Sequence, residues 1–160
     1  QVPYGAARPA PTPPPSILTA VKLMYAGAAL SAISFLTSLL TQESVRDQIA
    51  ETNPDWTEEQ IDNAVALGIA FAVVIGLIAI LLWVWMAQTN RRGKSWARVV
   101  ATVLGALNIV FTVFGLLIGQ NSGLVVVFSL VSAALAAVIL YLLYQKDSNA
   151  YYEEVADIRR

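Results

Sequence analysis

The sequence predicts an all-α, polytopic membrane protein. It is an antiparallel bundle of four transmembrane helices, with a helical hairpin outside the membrane between spans one and two. Three observations lead there. The chain is 57% hydrophobic and 13% charged, with a mean hydropathy of +0.62, whereas soluble domains carry about a quarter charged residues. The charges are segregated, leaving four long stretches almost without them. Apolar stretches of about 18 residues or more are membrane spans rather than soluble core helices. The lysines and arginines also fall almost entirely on one side of those stretches.

Residues 1–16 contain Pro3, Pro9, Pro11, Pro13, Pro14 and Pro15. Such a run lacks backbone donors and favours extended polyproline II, so it reads as a tail rather than a PxxP docking peptide. It lacks the basic-then-apolar pattern of a signal peptide. A start at Gln1 rather than Met implies further native residues upstream.

Residues 17–40 form the first span, with Ser16 as the expected cap and Lys22 placed to snorkel toward the near surface. Residues 64–86 form the second, ending on Trp83 and Trp85, where indoles prefer headgroup level. Residues 99–118 and 124–144 form the third and fourth, the last ending on Tyr141 and Tyr144. At about 1.5 Å per residue each is long enough for a hydrocarbon core of about 30 Å. Residues 145–160 form a C-terminal tail of mixed charge, either a short helix or disordered.

Orientation follows from the basic residues. Arg91, Arg92, Lys94 and Arg98 sit together without an acid. With Arg8, Lys22, Lys146, Arg159 and Arg160 they place nine of the ten basic residues on one side. The positive-inside rule makes that side cytoplasmic, with both tails, and puts residues 41–63 and 119–123 outside.

The outer segment 41–63 carries seven acids against Arg46 alone. Thr57-Glu58-Glu59-Gln60 has the pattern of a capping box, with Trp56 and Ile61 at staple positions. Val45 and Ile49 extend the helical spacing of span one, and Asn53-Pro54 marks the break. Asp47, Glu51, Asp55, Trp56, Glu58 and Glu59 are therefore the candidate partner-docking residues, although a solvated acidic face is the simpler reading.

Helices in lipid associate through small residues that let backbones approach. Gly27 and Ser31, Gly68, Ala72 and Gly76, Gly105, Asn108 and Thr112, and Ser129 and Ala133 lie at such spacings in the four spans. In span three, Ala101, Gly105, Asn108, Thr112 and Gly115 share one face, and Val103, Val110 and Phe114 lie off it. Asn108, an amide at mid-span, reads first as a hydrogen-bonding bridge to a neighbouring helix. Four such faces imply a tight bundle with little room for a pore within one chain.

The sequence contains no cysteine and no histidine. Thiol and imidazole chemistry are thereby excluded, as are Cys/His metal sites. No Asp, Glu, Lys or Arg lies deep in a span, which argues against proton relays and ion coupling. No catalytic, cofactor or metal residues are expected, and nothing points to nucleic acid. Arg91, Arg92, Lys94, Trp96 and Arg98 are candidates for contact with lipid headgroups.

Three segments carry a resemblance: Ala20-Val21-Lys22-Leu23-Met24-Tyr25-Ala26-Gly27; Arg92-Gly93-Lys94-Ser95-Trp96-Ala97-Arg98-Val99-Val100-Ala101; and Leu143-Tyr144-Gln145-Lys146-Asp147-Ser148-Asn149-Ala150-Tyr151-Tyr152. Together with the proline-rich start, the chain resembles small four-span membrane proteins of high-GC Gram-positive bacteria. The resemblance implies a plasma-membrane location and the same topology, and no catalytic residues. The resulting expectation is a non-enzymatic accessory or scaffolding subunit of a larger membrane assembly, respiratory or lipid-transporting, in contact with lipid and other membrane proteins. The alternative is a homo-oligomeric channel or transporter with its path between protomers.

Overall fold

The computed structural model describes residues 9–119 and 123–158. Among these residues the chain is all-helical: α1 (Pro15–Leu40), α2 (Gln42–Thr52), α3 (Glu58–Arg91), α4 (Ser95–Ile118), α5 (Gly123–Leu143) and α6 (Lys146–Ile158). Helices α1, α3, α4 and α5 are long and apolar enough to cross a membrane. The expected features at residues 1–8, 120–122 and 159–160, including Arg8, Arg159 and Arg160, lie outside the described residues.

The described chain forms two compact units, one up to Ala26 and from Val84 onward, the other Gly27–Trp83. In the second unit, α3 begins with the capping box of Thr57. The Thr57 amide donates to Gln60 Oε1 at 2.9 Å, and the Gln60 amide donates to Thr57 Oγ1 at 3.3 Å. This reciprocal bonding satisfies two of the amides that a helix start leaves over. Helix α3 is thus continuous from Glu58, six residues ahead of the expected span start at Ala64. Gly27 accommodates the Trp83 indole, because a Cβ there would lie 2.8 Å from the ring. Trp83 is therefore a packing residue in this unit, not only an interfacial anchor. Gly76 makes room for Phe35 in the same way, at 2.8 Å.

In the first unit, α4 lies along α5, and both touch α6. The contacts descend α5 as they climb α4: Thr102 meets Tyr144, Gly105 faces Leu140, Asn108 reaches Ser132, and Thr112 reaches Ser129. The turn from α3 to α4 is a Schellman motif. The Lys94 amide bonds to Thr89 O, the Gly93 amide bonds to Asn90 O, and Gly93 has φ +68°. Glycine takes this left-handed position without the Cβ penalty that other residues meet.

Burial is concentrated in one place. Ile17, Ala20, Ala87, Asn90, Ala97, Leu143 and Ser148 are fully buried, and Met24 and Tyr152 nearly so, all in the first unit. The most apolar window of α3, by contrast, has no buried residue. The long helices are therefore bare along much of their length, as helices are whose solvent is lipid.

Candidate functional site

Helix α6 carries a buried polar cluster shared with residues of α1, α3, α4 and α5. Its residues Ser148, Tyr151, Tyr152 and Val155 recur at 3, 1 and 3 positions, so they fall on one helical face, and all four are buried. The opposite face, with Lys146, Asp147, Glu153, Glu154 and Asp157, is exposed. Asp147 also suits the helix start electrostatically.

Each polar atom of the buried face finds a partner on another helix. The Tyr152 hydroxyl donates to Asn90 Oδ1 at 2.7 Å, and Asn90 Nδ2 donates to Met86 O at 2.9 Å, so the buried amide is satisfied at both ends. The Tyr151 hydroxyl donates to Arg91 O at 2.8 Å, taking up one of the carbonyls left over at the end of α3. Ser148 Oγ donates to Leu142 O at 2.7 Å. The Ser16 hydroxyl lies 2.8 Å from Asp147 Oδ2 and 2.7 Å from Ser148 Oγ. Burial pushes the Tyr152 phenol well above its ordinary range, with nearby Arg98 pulling weakly the other way.

Arg98 completes the cluster. Its guanidinium lies 4.8 Å from the Tyr144 ring and 5.0 Å from the Tyr152 ring, and it donates to Asn149 Oδ1. A planar guanidinium between two aromatic faces is a favourable cation–π arrangement. Gly93 lies beneath the same helix. A Cβ there would come 2.7 Å from Val155 Cγ2 and 2.9 Å from Tyr151 Cε1. Helices α1, α3, α4 and α5 all meet α6 in this clamp.

One expectation needs correction, and three residues are placed in ways the sequence did not suggest. Ser16 does not cap α1: the helix begins one residue earlier, at Pro15, and the Ser16 hydroxyl faces α6 instead. Arg98 is half-buried and held by α6 and its aromatic neighbours. Gly68 is exposed, and a Cβ there would meet nothing within 4 Å, so it mediates no close approach among the described residues. Glu58 is engaged by Arg46, which bonds to it and, at 3.1 Å, to Asp62, and both carboxylates raise the Arg46 pKa.

The remaining candidates are placed as follows. Asp47, Glu51, Asp55, Trp56 and Glu59 are exposed, and among the described residues no group of acids is arranged to hold a metal ion. Ser31, Ala72, Ser129 and Ala133 are half-buried. Gly105 would bring a Cβ to 3.0 Å from Leu140 Cδ1. Asn108 Nδ2 donates to Ser132 Oγ at 3.0 Å, while its Oδ1 is buried without a partner among the described residues. Thr112 is at the limit of a bond to Ser129 O, at 3.5 Å. Val103, Val110 and Phe114 are exposed. Arg91 and Arg92 are exposed, Lys94 is half-buried, and Trp96 is 43% exposed against Trp85.

Reading the sequence for charge alone missed Asn90, Tyr151 and Tyr152. The signal was present in the spacing of Ser148, Tyr151, Tyr152 and Val155, an amphipathic pattern inside a segment of mixed charge.

No family model, curated protein or solved structure matches the chain. The helices and the clamp define a helical protein with four segments fit to cross a membrane.

Proposed function

We propose that the chain is a non-enzymatic accessory or scaffolding subunit of a larger assembly, respiratory or lipid-transporting, in the plasma membrane of a high-GC Gram-positive bacterium. The observation that carries this reading is the disparity between a clamp with a buried centre and bare spans. A clamp satisfied by its own hydrogen bonds fixes the helix ends, and the apolar faces stay available to lipid and to neighbouring helices. On α3 these faces include Leu67, Phe71, Ile75 and Leu81, each more than 60% exposed. The spans carry no deep charged group that would serve ion coupling.

In this reading the four spans form an antiparallel bundle. Helix α2 and the start of α3 form an acidic hairpin outside the membrane, tied by Arg46 to Glu58 and Asp62. Both termini are cytoplasmic, as the distribution of basic residues favours.

Two experiments test it. Native purification in mild detergent should recover foreign subunits in fixed stoichiometry. A closed ring of identical chains would overturn the accessory reading in favour of a channel or transporter. The sequence has no cysteine, so single cysteines report topology directly. An impermeant maleimide should label Asp55→Cys on intact cells and Ala150→Cys only after permeabilisation. The reverse pattern would invert the orientation.

A further inference from the structure

We propose that Lys94, held over the Trp96 ring of the Trp85–Trp96 pair, forms a headgroup site selective for anionic phospholipid. The inference rests on the membrane reading and goes beyond it, because it names the lipid class and the side chain that selects it. The two indoles pack with centroids 5.3 Å apart at 44°, and they remain 47% and 43% exposed. Paired aromatic rings normally bury themselves. Left half-open at the junction of α3 and α4, they present an amphipathic surface suited to the boundary between acyl chains and headgroups.

Lys94 Nζ lies 5.9 Å from the Trp96 ring centroid and has no ion-pair partner among the described residues. Its ammonium is thus oriented by an aromatic face while its donors remain available to a phosphate. The Schellman turn fixes where Lys94 sits, because Gly93 is locked between α3 and the Val155 and Tyr151 side chains. Arg91 and Arg92 belong to the same turn and add positive potential. Arg98, four residues on, is occupied by Tyr144, Tyr152 and Asn149, whereas Lys94 is the cation held over the exposed Trp96 ring. Charge complementarity therefore favours a phospholipid with net negative charge over a zwitterionic one.

The test uses the full chain in mixed micelles, with Trp56→Phe and Trp83→Phe in the background so that fluorescence reports Trp85 and Trp96. Brominated phosphatidylglycerol and brominated phosphatidylcholine are titrated as quenchers. Half-quenching should need less phosphatidylglycerol than phosphatidylcholine, with Lys94 alone contributing about fivefold, the factor expected from one basic residue at a membrane surface. Lys94→Gln should lose that fivefold share and Lys94→Arg should retain it. If the double-Phe background does not fold, the wild-type chain is compared with its Lys94→Gln variant, and the difference between the two reports the contribution of Lys94 over the constant signal of Trp56 and Trp83.

Equal quenching by the two lipids, or a preference undiminished by Lys94→Gln, would overturn the headgroup site while leaving the membrane reading intact. Absence of quenching by either lipid would overturn both.

Discussion

The clamp around α6 and the connection between α2 and α3 are both built from side-chain polar contacts, yet they differ in kind. In the clamp, Tyr152, Asn90 and Ser148 are buried, and their side chains hydrogen-bond to neutral groups. In the connection, Arg46 bonds to Glu58 and Asp62, whose side chains are 82% and 64% exposed. Exposed ion pairs are screened by water and contribute little. Buried hydrogen bonds contribute modestly in themselves, but losing one partner leaves the other unsatisfied at a cost of about 1–3 kcal/mol. The comparison teaches that the number of polar contacts does not locate the stable part of this molecule, whereas their burial does.

The largest effect should come from removing the centre of the clamp. Tyr152→Ala deletes a buried ring, orphans Asn90 Oδ1 and takes one face from Arg98. It should destabilise the docked α6 by about 3–5 kcal/mol, the usual range for deleting a buried aromatic. Proteolysis of residues 146–158 in the purified protein measures this, and unchanged resistance would refute the central role of Tyr152.

The next effect lies between α4 and α5. Gly105→Leu places a bulky side chain where a Cβ alone would already meet Leu140 at 3.0 Å. It should cost about 1–3 kcal/mol in thermal unfolding. Val110→Leu, at a position 61% exposed, should leave the midpoint unchanged. Equal effects of the two would mean that this face of α4 does not do the packing.

Alkali should separate the two regions as well. The folded-state pKa of Tyr152 is raised by burial above the ordinary value of about 10. The stability linked to it is therefore fully present below about pH 10. It is lost as pH rises beyond that, because the unfolded chain ionises first. Release of α6 followed by limited proteolysis should steepen above about pH 10 in the wild type and flatten in Tyr152→Phe.

The smallest effect should come from the connection. Thr57→Ala removes the acceptor for the Gln60 amide and should loosen the start of α3 by about 1 kcal/mol, read as faster hydrogen exchange at residues 57–61. Unchanged exchange there would show that the cap contributes nothing.

What the sequence disclosed follows the same division. The spans were legible because long apolar runs have few alternatives, and the cap was legible because Thr57 and Gln60 act on each other three residues apart. Local patterns of this kind need no knowledge of the fold. The clamp was not legible, because its partners are far apart in the chain: Ser16 with Ser148, Asn90 with Tyr152, and Arg98 with Asn149. Arg98 reads as one more cation in a basic segment until two tyrosines from elsewhere enclose it. Gly93 reads as an ordinary turn glycine, and only the structure shows α6 lying against it. At Gly68 the small-residue spacing permits a close approach that no described residue of this chain uses.

The central claim is that α6 is a docked part of the fold rather than a tail, and hydrogen exchange of the intact protein compares it most directly with α2. Amides of residues 148–155 should exchange far more slowly than those of 42–52, and they should lose that protection in Tyr152→Ala while residues 42–52 stay unchanged. Exchange of α6 as fast as α2 in the wild-type protein would contradict the account.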